Sequence, residues 1–273
     1  MTDATTILHA QLEVRGCTAE LWLNDIPVVR IAASPTRIPL ENAAVAHLVV
    51  PGINTLELLV EPGRRPSTAR SESRVLDPRG MAATARLIAF SEGASGLPDS
   101  GECLVELDYR GDAAVDRETF PRAFKRTIDL GDAHGRWRWQ DAPRLVLDAA
   151  LRREARAVLA EVADAVQRLD AVRFWALTER QLRDVQRAYP AVTDAYLRDD
   201  LSARFADLAR AQDRVLARDP ASEDFRLVGE GRLLECIDRD WTTTLKLREP
   251  DSGAAIPYTI LLARLDGALQ IVR

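Results

Sequence analysis

Lysine is nearly absent from this chain: Lys125 and Lys246 stand against 35 arginines. A phosphate-cradling loop needs glycines ahead of its lysine, and neither Lys125 nor Lys246 has them, so that nucleotide site is excluded. Cysteine is scarce too. Cys17, Cys103 and Cys236 are odd in number and far apart, which fits a reducing compartment rather than a disulfide framework. Histidine is confined to His9, His47 and His134, and no His-Glu-x-x-His, Cys-x-x-Cys or calcium-loop spacing occurs, so no metal centre is expected. No run approaches the roughly 20 apolar residues of a membrane span. The opening Met-Thr-Asp-Ala-Thr-Thr-Ile-Leu-His has neither a basic nor an apolar leader region, so a cytoplasmic protein without a membrane partner is expected. Concentrated positive charge is also missing. A net charge of -5 argues against a general nucleic-acid binder, whose phosphate contacts need a basic face. The preference for arginine, with abundant alanine, reads as a nucleotide-composition bias.

What remains is enough to fold. Hydrophobic residues make up 47% and charged residues 29%, the balance of a globular chain rather than a disordered one. At about 150 residues per domain, 273 residues predict two. The hydrophobic period changes near residue 141, which predicts a β-sandwich domain over 1–140 and a domain of helices with an antiparallel sheet over 141–273.

In the first half apolar residues alternate: Leu8, Ala10, Leu12 and Val14; Leu21 and Leu23; Val28, Val29 and Ile31. Asn24-Asp25 reads as a tight hairpin turn. Pro51, Gly52 and Asn54 supply turn chemistry, after which Leu56, Leu58 and Val60 alternate with Thr55, Glu57 and Glu61 as one face of a half-buried strand. Further strands are predicted near 83–91, 102–110 and 122–130. Seven or eight strands between turns predict an antiparallel sandwich. Residues 62–80, rich in Pro, Arg, Ser and Gly, predict a mobile loop.

After Asp141 the period becomes helical. Leu147, Leu151, Ala155, Val158, Val162, Val166 and Leu169 form one stripe, with Asp141 ahead of Pro143, or Asp148, as its cap. A second helix is predicted over 171–189 with Phe174, Trp175, Leu182, Val185 and Tyr189 inward. A third carries Leu197, Leu201, Phe205, Leu208 and Val215 and ends before Pro220. Four strands follow, over 225–237, 240–248, 256–264 and 268–272, with turns at Asp251-Ser252-Gly253 and Asp266-Gly267. The fold class expected is α+β, three helices on a four-stranded antiparallel sheet behind a sandwich.

Residues 19–28, Ala-Glu-Leu-Trp-Leu-Asn-Asp-Ile-Pro-Val, together with Pro51-Gly52-Ile53-Asn54-Thr55-Leu56, resemble galactose-binding-like jelly-roll domains over roughly residues 12–61. Here Asp25 replaces the usual Gly. The resemblance implies a jelly roll and makes carbohydrate a candidate ligand, but family sugar sites lie on variable loops and no residue carries over. The tail Leu265-Asp266-Gly267-Ala268-Leu269-Gln270-Ile271-Val272-Arg273 is faintly similar to the end of the cystatin-like cone fold of nuclear transport factor 2 relatives, though Ala268-Leu269 lacks their Trp. That family hosts enzymes, binding pockets and dimerisation modules, so the likeness implies a fold and no reaction.

Candidate chemistry is sparse. Gly229-Glu230-Gly231 begins like a dinucleotide loop, but Leu234 stands where the third Gly is needed, and a bulged strand is the better reading. Gly93-Ala94-Ser95-Gly96-Leu97 misses the second Gly of a nucleophile elbow and reads as a loop. His9 and His47 fall in predicted strands and His134 in a surface turn, all structural. Asp238 and Asp240 flank Arg239 and could divide acid and base roles if their environments differed, or simply serve a turn. Trp137 and Trp139 offer either a stacking platform or a buried anchor at the domain junction, the second being favoured. Glu154, Glu161 and nearby arginines form a charged helix face. No catalytic, cofactor or metal residue is assigned. The expectation is a non-enzymatic protein that binds a protein partner or itself, without nucleic acid. The alternatives are a small-ligand or hydrolytic pocket in the second domain, and carbohydrate binding by the first.

Overall fold

The computed structural model describes residues 7–34, 38–91, 101–132, 135–211, 214–216, 219 and 221–273. The fold is α+β: among these residues there are three α-helices, and the strands pair antiparallel throughout. No helix among them is long and apolar enough to cross a membrane. The chain divides into two compact units, one of Met1–Arg64 and Thr68–Arg136, the other of Arg65–Ser67 and Trp137–Arg273.

In the first unit β1 (Ile7–Arg15), β4 (Leu40–Ala44), β7 (Ala82–Phe90) and β8 (Glu102–Arg110) form a sheet in the order β4-β1-β7-β8. A second sheet, of β2 (Ala19–Leu23), β3 (Ile26–Ile31), β5 (Ile53–Val60) and β10 (Arg122–Asp129), runs β10-β5-β2-β3. Strand β1 packs on β2 and β3, and β5 packs on β7 and β8. The alternation in the sequence is what makes this possible, since Leu8, Ala10, Leu12 and Val14 all fall on one buried side of β1. Asn24 and Asp25 make the tight turn between β2 and β3 with φ of 53° and 61°, so Asp25 adopts the left-handed backbone that Gly would take freely.

Two expectations for this unit change. From Leu56 to Val60 strand β5 is buried on both faces, and Arg70 and Lys125 shield Glu57 there at 3.1 Å each. Residues 62–80 are not structureless: they hold a 3-10 turn at Pro66–Thr68 and β6 (Arg74–Leu76), which pairs with β9 (Glu118–Phe120). Arginines rather than an apolar period order the segment. Arg74 donates to the Glu61 carboxylate at 3.1 Å and to the Pro62 carbonyl at 2.6 Å, while Arg70 lies 4.1 Å from the Trp22 ring centroid.

In the second unit α1 (Ala149–Gln167), α2 (Ala171–Ala188) and α3 (Asp194–Leu208) follow one another closely. Each starts where an oxygen side chain accepts a free amide of the first turn: Asp148 from Leu151, Asp170 from Arg173 and Thr193 from Tyr196. The expected third helix stops at Leu208, and Val215 lies beyond it, bridged to Leu247. The sheet consists of β11 (Glu223–Val228), β12 (Leu233–Asp238), β15 (Ile260–Leu265) and β16 (Ala268–Ile271) in that order. β13 (Leu245–Arg248) and β14 (Ala255–Tyr258) form a separate ribbon.

This replaces the expected strands 225–237 and 240–248. Gly229, Glu230 and Gly231 all have positive φ, so the chain turns there instead of bulging. Trp241, at φ 68°, ends a second turn before β13 can begin. One face of the sheet, carrying Phe225, Leu234, Cys236, Leu262 and Ile271, meets the α1 stripe of Leu151, Ala155, Leu159, Val162 and Val166. Phe174 of α2 joins that core and meets Phe205 edge-on at 5.5 Å. Burying this many large aliphatic side chains, at about 1.5–3 kcal/mol each, dominates the stability of the unit.

Candidate functional site

Helix α2 is amphipathic in an unusual way. Arg180, Arg183 and Arg187 recur at three- and four-residue steps and so share one side of the helix, with Asp184 set among them. Leu177 lies one turn below. This side borders a cleft of about 720 Å³ in the second unit. Leu265 of β15, Leu269 and Ile271 of the edge strand β16, and Val272 just after it give an apolar wall. Val158 and Glu161 of α1 close one side, and Arg138, from the 3-10 turn at Arg138–Asp141, closes another.

Each arginine is held in place. Arg180 Nη2 donates to Asp266 at 2.6 Å, and Arg183 Nη1 donates to Asp194 at 2.6 Å. The Arg187 guanidinium lies 4.1 Å from the centroid of the Trp137 ring. Trp137 itself is fully buried, with its backbone N–H donated to Gln140 Oε1 at 2.8 Å. A cation over an indole face is worth about 0.5–2 kcal/mol, and here it fixes the direction of a charge. Glu161 is bonded to Arg173 of α2.

Asp184 is the exception. Burial pushes its carboxyl above the usual carboxylate range, although the Arg187 and Arg138 charges pull the other way. Gln181, three residues earlier on the same side of the helix, holds its Oε1 buried without a donor among the described residues. The cleft therefore presents four arginines against Glu161, Glu179 and Asp184, over an aliphatic floor. Its described lining sets arginines beside aliphatic side chains, so recognition of an organic anion has both a charged end and an apolar surface.

The residues singled out from the sequence are placed elsewhere, apart from Glu161 on the wall and Trp137 beneath Arg187. His9 Nδ1 is 3.0 Å from Asn42 Oδ1, and its ring meets Phe90 edge-on at 5.0 Å. His47 lies in a 3-10 turn, Ala46–Leu48, rather than in the expected strand. His134 and the loop 93–97 lie outside the described residues. Asp238 is buried and accepts Lys246 Nζ at 3.2 Å, while the Thr242 hydroxyl holds the Asp240 carboxyl below its usual range. That pair serves a turn. Trp137 and Trp139 are both buried, which leaves no exposed stacking platform. Glu154 is bonded to Arg264 at 2.6 Å and accepts the Leu269 amide at 3.3 Å, sealing part of the outer edge of β16.

Sequence reasoning missed Arg138, Asp184 and Arg187. A signal existed in the repeat of arginines with one acid inside it, but it looks like any solvated helix face until β16 is placed beside it. Among the described residues no group of three or more His, Cys, Asp and Glu could hold a metal ion. Comparison with family models, with curated proteins and with solved structures finds no match.

Proposed function

We propose that the second unit is a small-ligand-binding module whose site is the cleft between α1, α2 and β16. The observation that carries this reading is the cleft itself: its volume of about 720 Å³ lies within the roughly 300–1,000 Å³ of small-molecule sites, and positioned charges border an apolar wall. The test is titration with decanoate, decanol and decyltrimethylammonium, followed by calorimetry. At least one should bind saturably, and Ala176→Trp, which fills the cleft from an exposed position, should abolish that binding. Binding of none, or binding indifferent to Ala176→Trp, would overturn the reading.

A second reading concerns self-association. The two sheets of the first unit support a jelly-roll-like sandwich, and the helix-covered sheet of the second supports a cone-like fold. In the first unit two sheet-edge strands differ in the balance of their exposed charges: Glu102, Glu106 and Asp108 outnumber Arg110 on β8, and Arg122, Lys125 and Arg126 outnumber Asp129 on β10. An exposed edge is a template for pairing, and an acidic edge of one copy complements a basic edge of another. Sedimentation equilibrium should show oligomers that high salt and Arg126→Glu dissociate. A monomer under all conditions would refute this.

A further inference from the structure

We propose that the cleft takes an organic carboxylate with an apolar body, and that one proton is taken up with it and resides on Asp184. This inference rests on the ligand-binding reading above and adds the ligand class and its coupling to pH. The geometry supplies three parts. The apolar wall of Leu265, Leu269 and Ile271 suits an alkyl or aryl body. Arg138 and Arg187 approach from two different elements, the 3-10 turn and α2, and theirs are the charges that act on Asp184. The indole beneath Arg187 keeps its guanidinium from following the ligand.

The proton follows from charge balance. With Asp184 ionised, the lining carries four guanidiniums and three carboxylates; with Asp184 protonated the positive excess doubles from one to two. An incoming carboxylate beside an ionised Asp184 would place two anions in one half-buried site, which raises the proton affinity of the more buried of them. Burial already favours the neutral form of Asp184. The other groups facing it are accounted for: Glu161 is held by Arg173, Glu179 lies 3.6 Å from Arg183, and Arg180 is tied to Asp266. β16 brings only Gln270 and aliphatic side chains. The buried Gln181 Oε1, three residues before Asp184, is an acceptor lying on the same side of α2 as the protonated acid.

The experiment is calorimetric titration of the full chain with decanoate from about pH 5.5 to about pH 8.5, in buffers of different ionisation enthalpy. One linked proton should weaken binding by up to about tenfold per pH unit above the titration of Asp184, with matching proton uptake from the buffer. Decanol and decyltrimethylammonium should bind more weakly than decanoate. Asp184→Asn should bind decanoate with a flat pH profile, and Glu161→Gln should keep the wild-type slope. A flat wild-type profile, or a slope lost in Glu161→Gln and kept in Asp184→Asn, overturns the proton linkage while the ligand site stands. Preference for decyltrimethylammonium overturns the anion class in the same way. Absence of binding by all three probes overturns the ligand site itself.

Discussion

Arg214 and Gln167 hold one another from both ends: Arg214 Nη1 donates to the Gln167 carbonyl at 2.9 Å, and Gln167 Oε1 accepts the Arg214 backbone N–H at 3.1 Å. Gln167 is the last residue of α1. The same guanidinium donates through Nε to the carbonyl of Leu208, the last residue of α3, at 3.0 Å. One arginine thus satisfies carbonyls at two helix C-termini, where the backbone has no further amides to offer and the helix dipole favours a cation. Arg214→Ala is expected to cost about 1–2 kcal/mol in urea unfolding and to speed hydrogen exchange at the ends of α1 and α3. Arg214→Lys should recover little of it, because an ammonium lacks the planar fork that reaches both carbonyls. Full recovery by lysine would show that charge alone is responsible.

Asn54 is the residue on which the first unit turns. It is fully buried; its Nδ2 donates to the Val50 and Gly52 carbonyls at 2.8 and 2.9 Å, and its Oδ1 accepts from Val50 N–H at 2.8 Å and from Asn24 Nδ2 at 2.7 Å. Asn54→Ala takes the partner from the Val50 N–H and carbonyl, whereas the Gly52 carbonyl keeps the Leu130 N–H at 3.0 Å, so at about 1 kcal/mol or more for each unpaired group the loss in urea unfolding should be at least about 2 kcal/mol. Asn54→Asp should be worse than Ala, since a carboxylate cannot donate to the two carbonyls and adds a buried charge. An aspartate variant as stable as the wild type would remove Asn54 from this role.

Such contacts mark the boundary of what was legible. Turn chemistry around Pro51, Gly52 and Asn54 announced a strand, because local backbone preferences act over a few residues. Helices α1 and α2 were legible from their stripes and from Asp148 at a cap. The end of α3 was not. It depends on Arg214 reaching back to Leu208 and Gln167, contacts in which the helix period has no part. The ordering of residues 62–80 by Arg70 and Arg74 was hidden for the same reason, since guanidinium–carboxylate pairs leave no periodic trace. The cleft required β16 to lie beside the arginines of α2, and no local pattern gives that pairing.

The three thiols should differ sharply. Cys17 and Cys236 are buried and Cys103 is exposed. Burial first, then the Glu61 charge, pushes the Cys17 thiol up to about 11 from an ordinary 9.0. At about pH 8 the native protein should yield one titratable thiol, Cys103, with the other two appearing only in denaturant. The stability consequence has a definite sign. The folded state holds the Cys17 proton more tightly than the unfolded state does, so this contribution is full below pH 9.0 and is lost as the pH rises towards 11. The urea midpoint should fall across that window, and less so in Cys17→Ala. Equal falls in the two proteins would show that other groups control the alkaline limit.

Arg226 and Glu235 face each other across β11 and β12, both almost fully buried and bonded to one another. The Trp241 ring lies 5.3 Å from the same guanidinium. A third charge shares the site. Burial pulls the Arg273 guanidinium below its usual range while Glu235 opposes that pull, and Arg273 Nη1 is buried without a hydrogen-bond partner among the described residues. Glu235 is therefore bonded to one arginine and favours the charge of a second, so the two ends of the pair are unequal. Glu235→Gln removes the carboxylate bonded to Arg226 and the charge that favours ionised Arg273, and should cost roughly the 3–5 kcal/mol of a broken buried pair. Arg226→Met leaves Glu235 the nearby charge of Arg273 and should cost less. Replacing both, by Arg226→Met with Glu235→Leu, should cost less than the sum of the single losses, because no carboxylate then remains to be desolvated. Urea unfolding of the four proteins of this cycle decides the matter: equal losses in the two single variants would mean that Arg273 takes no share of the carboxylate.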